Sequence, residues 1–196
     1  MKNHIIQFII LATIFSFTSC GLFVKKINFT KEELDFFNVY NTNDVLVFQN
    51  LTTKERDTSV IYSKRIYHEY DWLRHDNKVH CVNIDYKNSK YKYPGYQEKS
   101  ESMFGYCIGE NDTKYCISFT YLKSNFKIFN DTETKSTETL TVSKKNFNNV
   151  YELVYKRPKF NGGTDDDPEI LCWDKKYGII KYITFKGEIW ERVNWD

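Results

Sequence analysis

The sequence predicts a mainly β domain, an antiparallel meander curved into a barrel-like or sandwich sheet, with one short helix near its N-terminus. Three observations carry this. The only alanine in the 196 residues is Ala12, so the best helix former is missing from all that follows it, while 15 Tyr and 15 Phe join many Val, Ile and Thr. Those residues favour a pleated, half-buried surface over a helix. Short alternating segments bounded by polar turns recur about every 10 to 15 residues, the spacing of an all-β domain. No strand alternates with a long helical pattern, which argues against a doubly wound parallel sheet.

The elements follow in order. Thr30-Lys31-Glu32-Glu33 has the spacing of a capping box, and Leu34 and Phe37 share one face, which predicts a helix over 31–38 that plugs one end of the sheet. Residues 45–49 and 58–63 read as a strand pair. Residues 79–86 alternate, and 103–108 with 115–121 form a hairpin in which Tyr115, Ile117, Phe119 and Tyr121 face one way. Segments 125–129, 139–143, 150–155, 170–173, 179–185 and 188–193 complete about ten strands. A two-residue turn at Lys186-Gly187 would set Ile183 opposite Trp190 and Ile180 opposite Val193. Residues 87–101 and 157–169 are the longest loops.

Hydrophobic residues make up 41% and charged residues 28%, with a formal net charge of +2. That is the balance of one ordinary globular domain, and it gives no reason to expect nucleic acid as a partner.

The first residues read separately. Lys2 precedes an apolar run from Ile5 to Phe17, broken only by Gln7, Thr13 and Ser16, and small residues follow. The run is too short for a spanning helix, which needs about 20 residues, and fits the apolar core of an export signal. Residues 1–19 are therefore expected to be a signal peptide, 20–28 a tether and 29–196 the single domain.

Phe17-Thr18-Ser19-Cys20-Gly21 resembles a bacterial lipobox, with Phe17 where leucine is usual. The resemblance implies cleavage before Cys20 and its lipidation, and two or more acyl chains hold a protein stably on a membrane. Residues Gly21 to Lys26 carry no acidic cluster. By resemblance to lipoproteins of that kind, the expected site is the outer membrane facing the periplasm. Tyr177-Gly178-Ile179-Ile180-Lys181-Tyr182 and Gly187-Glu188-Ile189-Trp190-Glu191-Arg192, with Phe147 to Leu153 before them, are similar to the ending of many small Bacteroidota-type lipoproteins. That likeness implies an antiparallel sheet and supplies no activity.

With Cys20 acylated, Cys81, Cys107, Cys116 and Cys172 remain, and an exported chain permits disulfides. Four cysteines allow three connectivities. If residues 110–113 form the hairpin loop, Cys107 lies opposite Cys116 within bridging distance, which makes this pair the candidate disulfide. No C-x-x-C motif supports a zinc ribbon.

Three groups could carry function. His68, His75, His80 and Cys81, with Glu69, Asp71 and Asp76, are metal-ligating types, but their spacing matches no metal motif, so no metal is expected. Thr164 to Glu169 is a carboxylate-rich loop without the spaced ligands of a calcium loop. Tyr91, Tyr93 and Tyr96, among Lys87, Lys90 and Lys92, form the candidate binding loop, since exposed aromatics can stack on a sugar or dock a protein. Four glycosylation sequons begin at Asn28, Asn50, Asn111 and Asn130, which chance explains in a bacterial chain this rich in asparagine. No nucleophile elbow, P-loop or dinucleotide fingerprint occurs. The expectation is a lipid-anchored, monomeric, non-catalytic binding or scaffolding module without cofactor, taking a small apolar ligand or an envelope protein. The alternative is an envelope inhibitor or immunity lipoprotein that acts through a protein partner.

Overall fold

A computed structural model describes residues 25–70, 77–89, 101–107, 116–129, 135–157 and 163–195. The signal peptide, Cys20, His75 and the loop bearing Tyr91, Tyr93 and Tyr96 lie outside these residues.

The fold is mainly β, as expected. The elements are β1 (Lys25–Ile27), α1 (Lys31–Phe37), β2 (Val45–Asn50), β3 (Arg56–Tyr70), β4 (Asn77–Asn88), β5 (Glu101–Cys107) and β6 (Cys116–Tyr121). There follow β7 (Ser124–Phe129), β8 (Lys135–Val142), β9 (Lys145–Val154), β10 (Pro168–Asp174), β11 (Gly178–Thr184) and β12 (Ile189–Arg192). They form one sheet in the order β7-β6-β5-β4-β3-β2-β12-β11-β10-β9-β8, with β1 paired in parallel to β4. Every other pairing is antiparallel, and the β12–β2 contact joins two meanders into one. The sheet curls until it is nearly closed. At the seam, Ser124 Oγ donates to the Pro168 carbonyl at 2.5 Å, and Phe126 meets Tyr155 with ring centroids 6.1 Å apart.

The interior is filled by side chains. Trp173 is fully buried and touches Phe119, Tyr40 and Phe104 with centroids 5.3, 5.7 and 5.8 Å away. Aromatic rings tilted or edge-on in this way contribute beyond their buried area.

Helix α1 closes one end. Thr30 Oγ1 accepts from the Glu33 amide at 3.2 Å, and Glu33 Oε2 accepts from the Thr30 amide at 2.6 Å, completing the expected capping box. Phe37 is buried against Phe29 and Phe104, while Phe36 reaches Tyr151. Beyond the helix, Tyr40 Oη accepts from the Ile179 amide at 2.7 Å. Gly178 makes room for that ring: it has φ +71°, and a Cβ there would stand 2.2 Å from Tyr40 Oη. Only glycine accepts both conditions.

Three expectations are corrected. Residues 25–27 are a strand along β4 rather than a free tether. The β11–β12 turn has three residues, Phe185 to Gly187, since Thr184 pairs with Glu188 through a 3.0 Å bond and Gly187 takes φ +81°. The register therefore slips by one, and Trp190 pairs with Tyr182 instead of Ile183. The strand expected over 58–63 runs on to Tyr70 as part of β3 and carries His68.

Candidate functional site

Strand direction sorts the loops between two ends. The end away from α1 collects the turns after β2, β6 and β11, together with residues 163–167. A pocket of about 360 Å³ opens there. Its wall includes Asp57 and Glu55 near the start of β3, Tyr182 of β11 and Trp190 of β12. The off-by-one register matters here, since it stacks Tyr182 on Trp190, centroids 5.8 Å apart and planes within 8°.

Asp57 is completely buried. Tyr182 Oη donates to its Oδ2 at 2.9 Å, and Asn88 Nδ2 and Ser89 Oγ donate to its Oδ1 at 2.8 and 3.4 Å. Asn88 Nδ2 also donates to Ser59 Oγ at 2.9 Å, and Ser59 Oγ shares a hydrogen bond with Tyr121 Oη at 3.1 Å. Buried polar groups are costly unless partnered, and this network partners the carboxylate on both oxygens. Burial, with Asp57 adding to it, holds the Tyr121 phenol well above its usual range.

The β6–β7 turn forms another part of the wall. Leu122 and Lys123 have φ +47° and +68°, the conformation of a type I′ hairpin that glycine and asparagine normally supply. Tyr86 Oη accepts from the Leu122 amide at 2.7 Å and donates to Glu101 Oε2 at 2.7 Å, which fixes the turn from below. Side chains other than glycine in this region store strain, and such strain collects at functional sites.

The rim is charged. Lys186 Nζ pairs with Asp166 and, at 3.5 Å, with Glu188. Counting Glu55 and Asp57, four carboxylates face Lys123 and Lys186, so the lining carries an acidic excess.

The carboxylate-rich loop falls beside this pocket and divides its charges among separate protein partners. Asp165 pairs with Arg157 at 3.1 Å, Asp166 with Lys186, and Asp167 accepts from the Thr164 amide and hydroxyl at 2.7 and 3.1 Å. Among the described residues no group of three metal-ligating side chains converges.

His68 and His80 meet as a cross-strand pair with rings stacked at 4.4 Å and 5°. Both hold the N-terminal segment: His80 Nδ1 accepts from the Phe29 amide at 3.2 Å, and His68 Nε2 bonds Asn28 Oδ1 at 2.8 Å. Burial and the neighbouring His68 lower the pKa of His80.

Cys81 is disulfide-bonded, Cys172 is a buried free thiol pushed up to about 11 by burial, and Cys107 is the residue paired with Cys81 across β4 and β5. The side chains of Cys107 and Cys116 lie outside the described residues.

Sequence reasoning missed the pocket because its walls come from strands far apart in the chain. Only the acidic loop pointed toward it. No family model, curated protein or solved structure matches this chain significantly. No helix among the described residues is long and apolar enough to cross a membrane.

Proposed function

We propose that the chain is an envelope lipoprotein, anchored through Cys20, whose β domain binds a small polar solute bearing a protonated amine. The acidic excess of the pocket carries this reading. Carboxylates beside a Trp–Tyr pair suit an ammonium group, which gains from both charge and ring faces. The aromatic filling of the barrel leaves the small apolar ligand less favoured than a polar one. The lipobox resemblance supports the anchor, and β1 begins five residues after Cys20.

A panel of small amines and matched carboxylic acids, screened by thermal shift and then calorimetry, tests the binding. Amines are expected to raise Tm, and Glu188→Gln with Asp166→Asn to weaken the best amine about tenfold, the effect of removing about 1.4 kcal/mol of interaction. Stabilisation by acids alone, or no change on substitution, overturns it. Exposed Tyr62 and Tyr67 on β3, 57% and 41% accessible, favour the second reading of an inhibitor acting through a protein partner. Stoichiometric capture of one envelope protein, lost on changing these two tyrosines, would establish that reading instead.

A further inference from the structure

The end opposite the pocket has its own chemistry. The turns after β8 and β10 carry Lys144, Lys175 and Lys176, and β9 opens on Lys145. Phe147, Tyr177 and Trp195 pack there with centroids 4.8 to 5.9 Å apart. Lys145 Nζ stands 3.8 Å from the Tyr177 centroid and 4.9 Å from that of Trp195, and Lys176 Nζ stands 5.1 Å over Tyr177.

The nearby carboxylates are turned to the protein. Asp174 is buried and accepts from the Lys176 and Tyr177 amides at 2.8 and 3.0 Å, and Glu191 accepts from the Ser143 amide at 2.8 Å. Lys144, Lys175 and Lys176 are exposed, and Tyr177 and Trp195 are half-buried. Glu32 and Asp35 of α1 are exposed as well, and Lys175 Nζ stands 5.8 Å from the centroid of Phe36, next to Asp35 in sequence. The result is a basic surface whose aromatic rings are part apolar and part wet.

We propose that this end faces a membrane, its lysines on anionic headgroups and Tyr177 and Trp195 at headgroup depth. Aromatic residues with an apolar body and a polar tip settle at that level, and basic clusters add attraction to anionic lipid. The inference rests on the anchored reading in one respect. β1 begins at Lys25 beside Asn77, at this same end, so a chain leaving toward Cys20 departs from here. The anchor and the basic patch then act together, and the pocket opens away from the bilayer.

The test uses protein extracted from its own membranes and placed in vesicles with or without phosphatidylglycerol. Brominated lipid is expected to quench Trp195 in the anionic vesicles, and Trp195→Phe to remove that quenching. Changing the four lysines to glutamine is expected to reduce it to the level in neutral vesicles, while changing them to arginine preserves it. Equal quenching in both vesicle types, quenching that survives Trp195→Phe, or lysines that crosslink to an envelope protein rather than lipid would overturn the proposal. Intact mass of the same sample reports acylation separately. If no acyl group is found, the unmodified protein is mixed with the same vesicles. Partitioning at least about tenfold stronger to anionic lipid, as clustered lysines each contribute near a charged surface, would still support the patch, and no preference would overturn it.

Discussion

The two ends of the barrel solve the same problem in opposite ways. A nearly closed sheet leaves its interior open at both mouths. At one mouth the chain lays a capped helix across the opening and drives Phe29, Phe37 and Tyr40 into the core. At the other it buries Asp57, Ser59, Tyr121 and Tyr182 in a hydrogen-bonded network and leaves a pocket above them. The plugged end gains apolar burial. The open end keeps a buried polar network with a pocket above it, features a fold retains where it has a use for them.

The comparison makes the following predictions, the largest effect first. Trp173→Ala is expected to cost about 4 kcal/mol by chemical denaturation, since it hollows the core both ends share. Trp173→Phe should cost far less, because Trp173 Nε1 has no hydrogen-bond partner to lose. Gly178→Ala at the plugged end is expected to cost about 3 kcal/mol, from the clash with Tyr40 and the left-handed backbone together. A neutral result would break the claim that Tyr40 locks the plug. At the open end, Asp57→Asn should cost about 2 kcal/mol, because an amide presents hydrogens to groups that donate to the carboxylate. Smaller still, Lys123→Gly and Lys144→Gly should each stabilise by about 0.5 to 1 kcal/mol, since both residues hold left-handed φ. If only Lys144→Gly does so, the open-end turn is held by more than its backbone.

pH acts on the plugged end through His80, which accepts from the Phe29 amide. His80 has its pKa lowered in the folded state, so the unfolded chain takes up the proton more readily. Its contribution is therefore complete above the ordinary histidine value of 6.5 and is lost as pH falls through the lower folded value. Protonation at Nδ1 also removes the acceptor for the Phe29 amide. Hydrogen exchange at Phe29 should accelerate over that window, and His80→Gln should remove the acceleration.

Two local signals in the sequence match the structure. The Thr30–Glu33 capping box marks the helix, and period-two alternation sets Phe119 and Tyr121 on one face, which the structure buries. What failed depended on distant or unusual partners. Ser143-Lys144 has none of the residues that announce a type I′ turn, so the β8–β9 hairpin was read as two shorter strands. The β11–β12 register turned on a single extra residue, which alternation alone does not count. The candidate site was least legible, because Asp57 reaches the Tyr182–Trp190 pair only when the two meanders join at β12 and β2. Tyr91, Tyr93 and Tyr96 stood out by composition, which says nothing of where a pocket forms.

The central claim is that the open end holds a ligand, and native mass spectrometry of the protein taken from its own membranes tests it most directly. The account predicts a small noncovalent amine retained by the protein and lost from a folded Asp166→Asn/Glu188→Gln variant. Bare protein, or an adduct that the variant keeps, would contradict it.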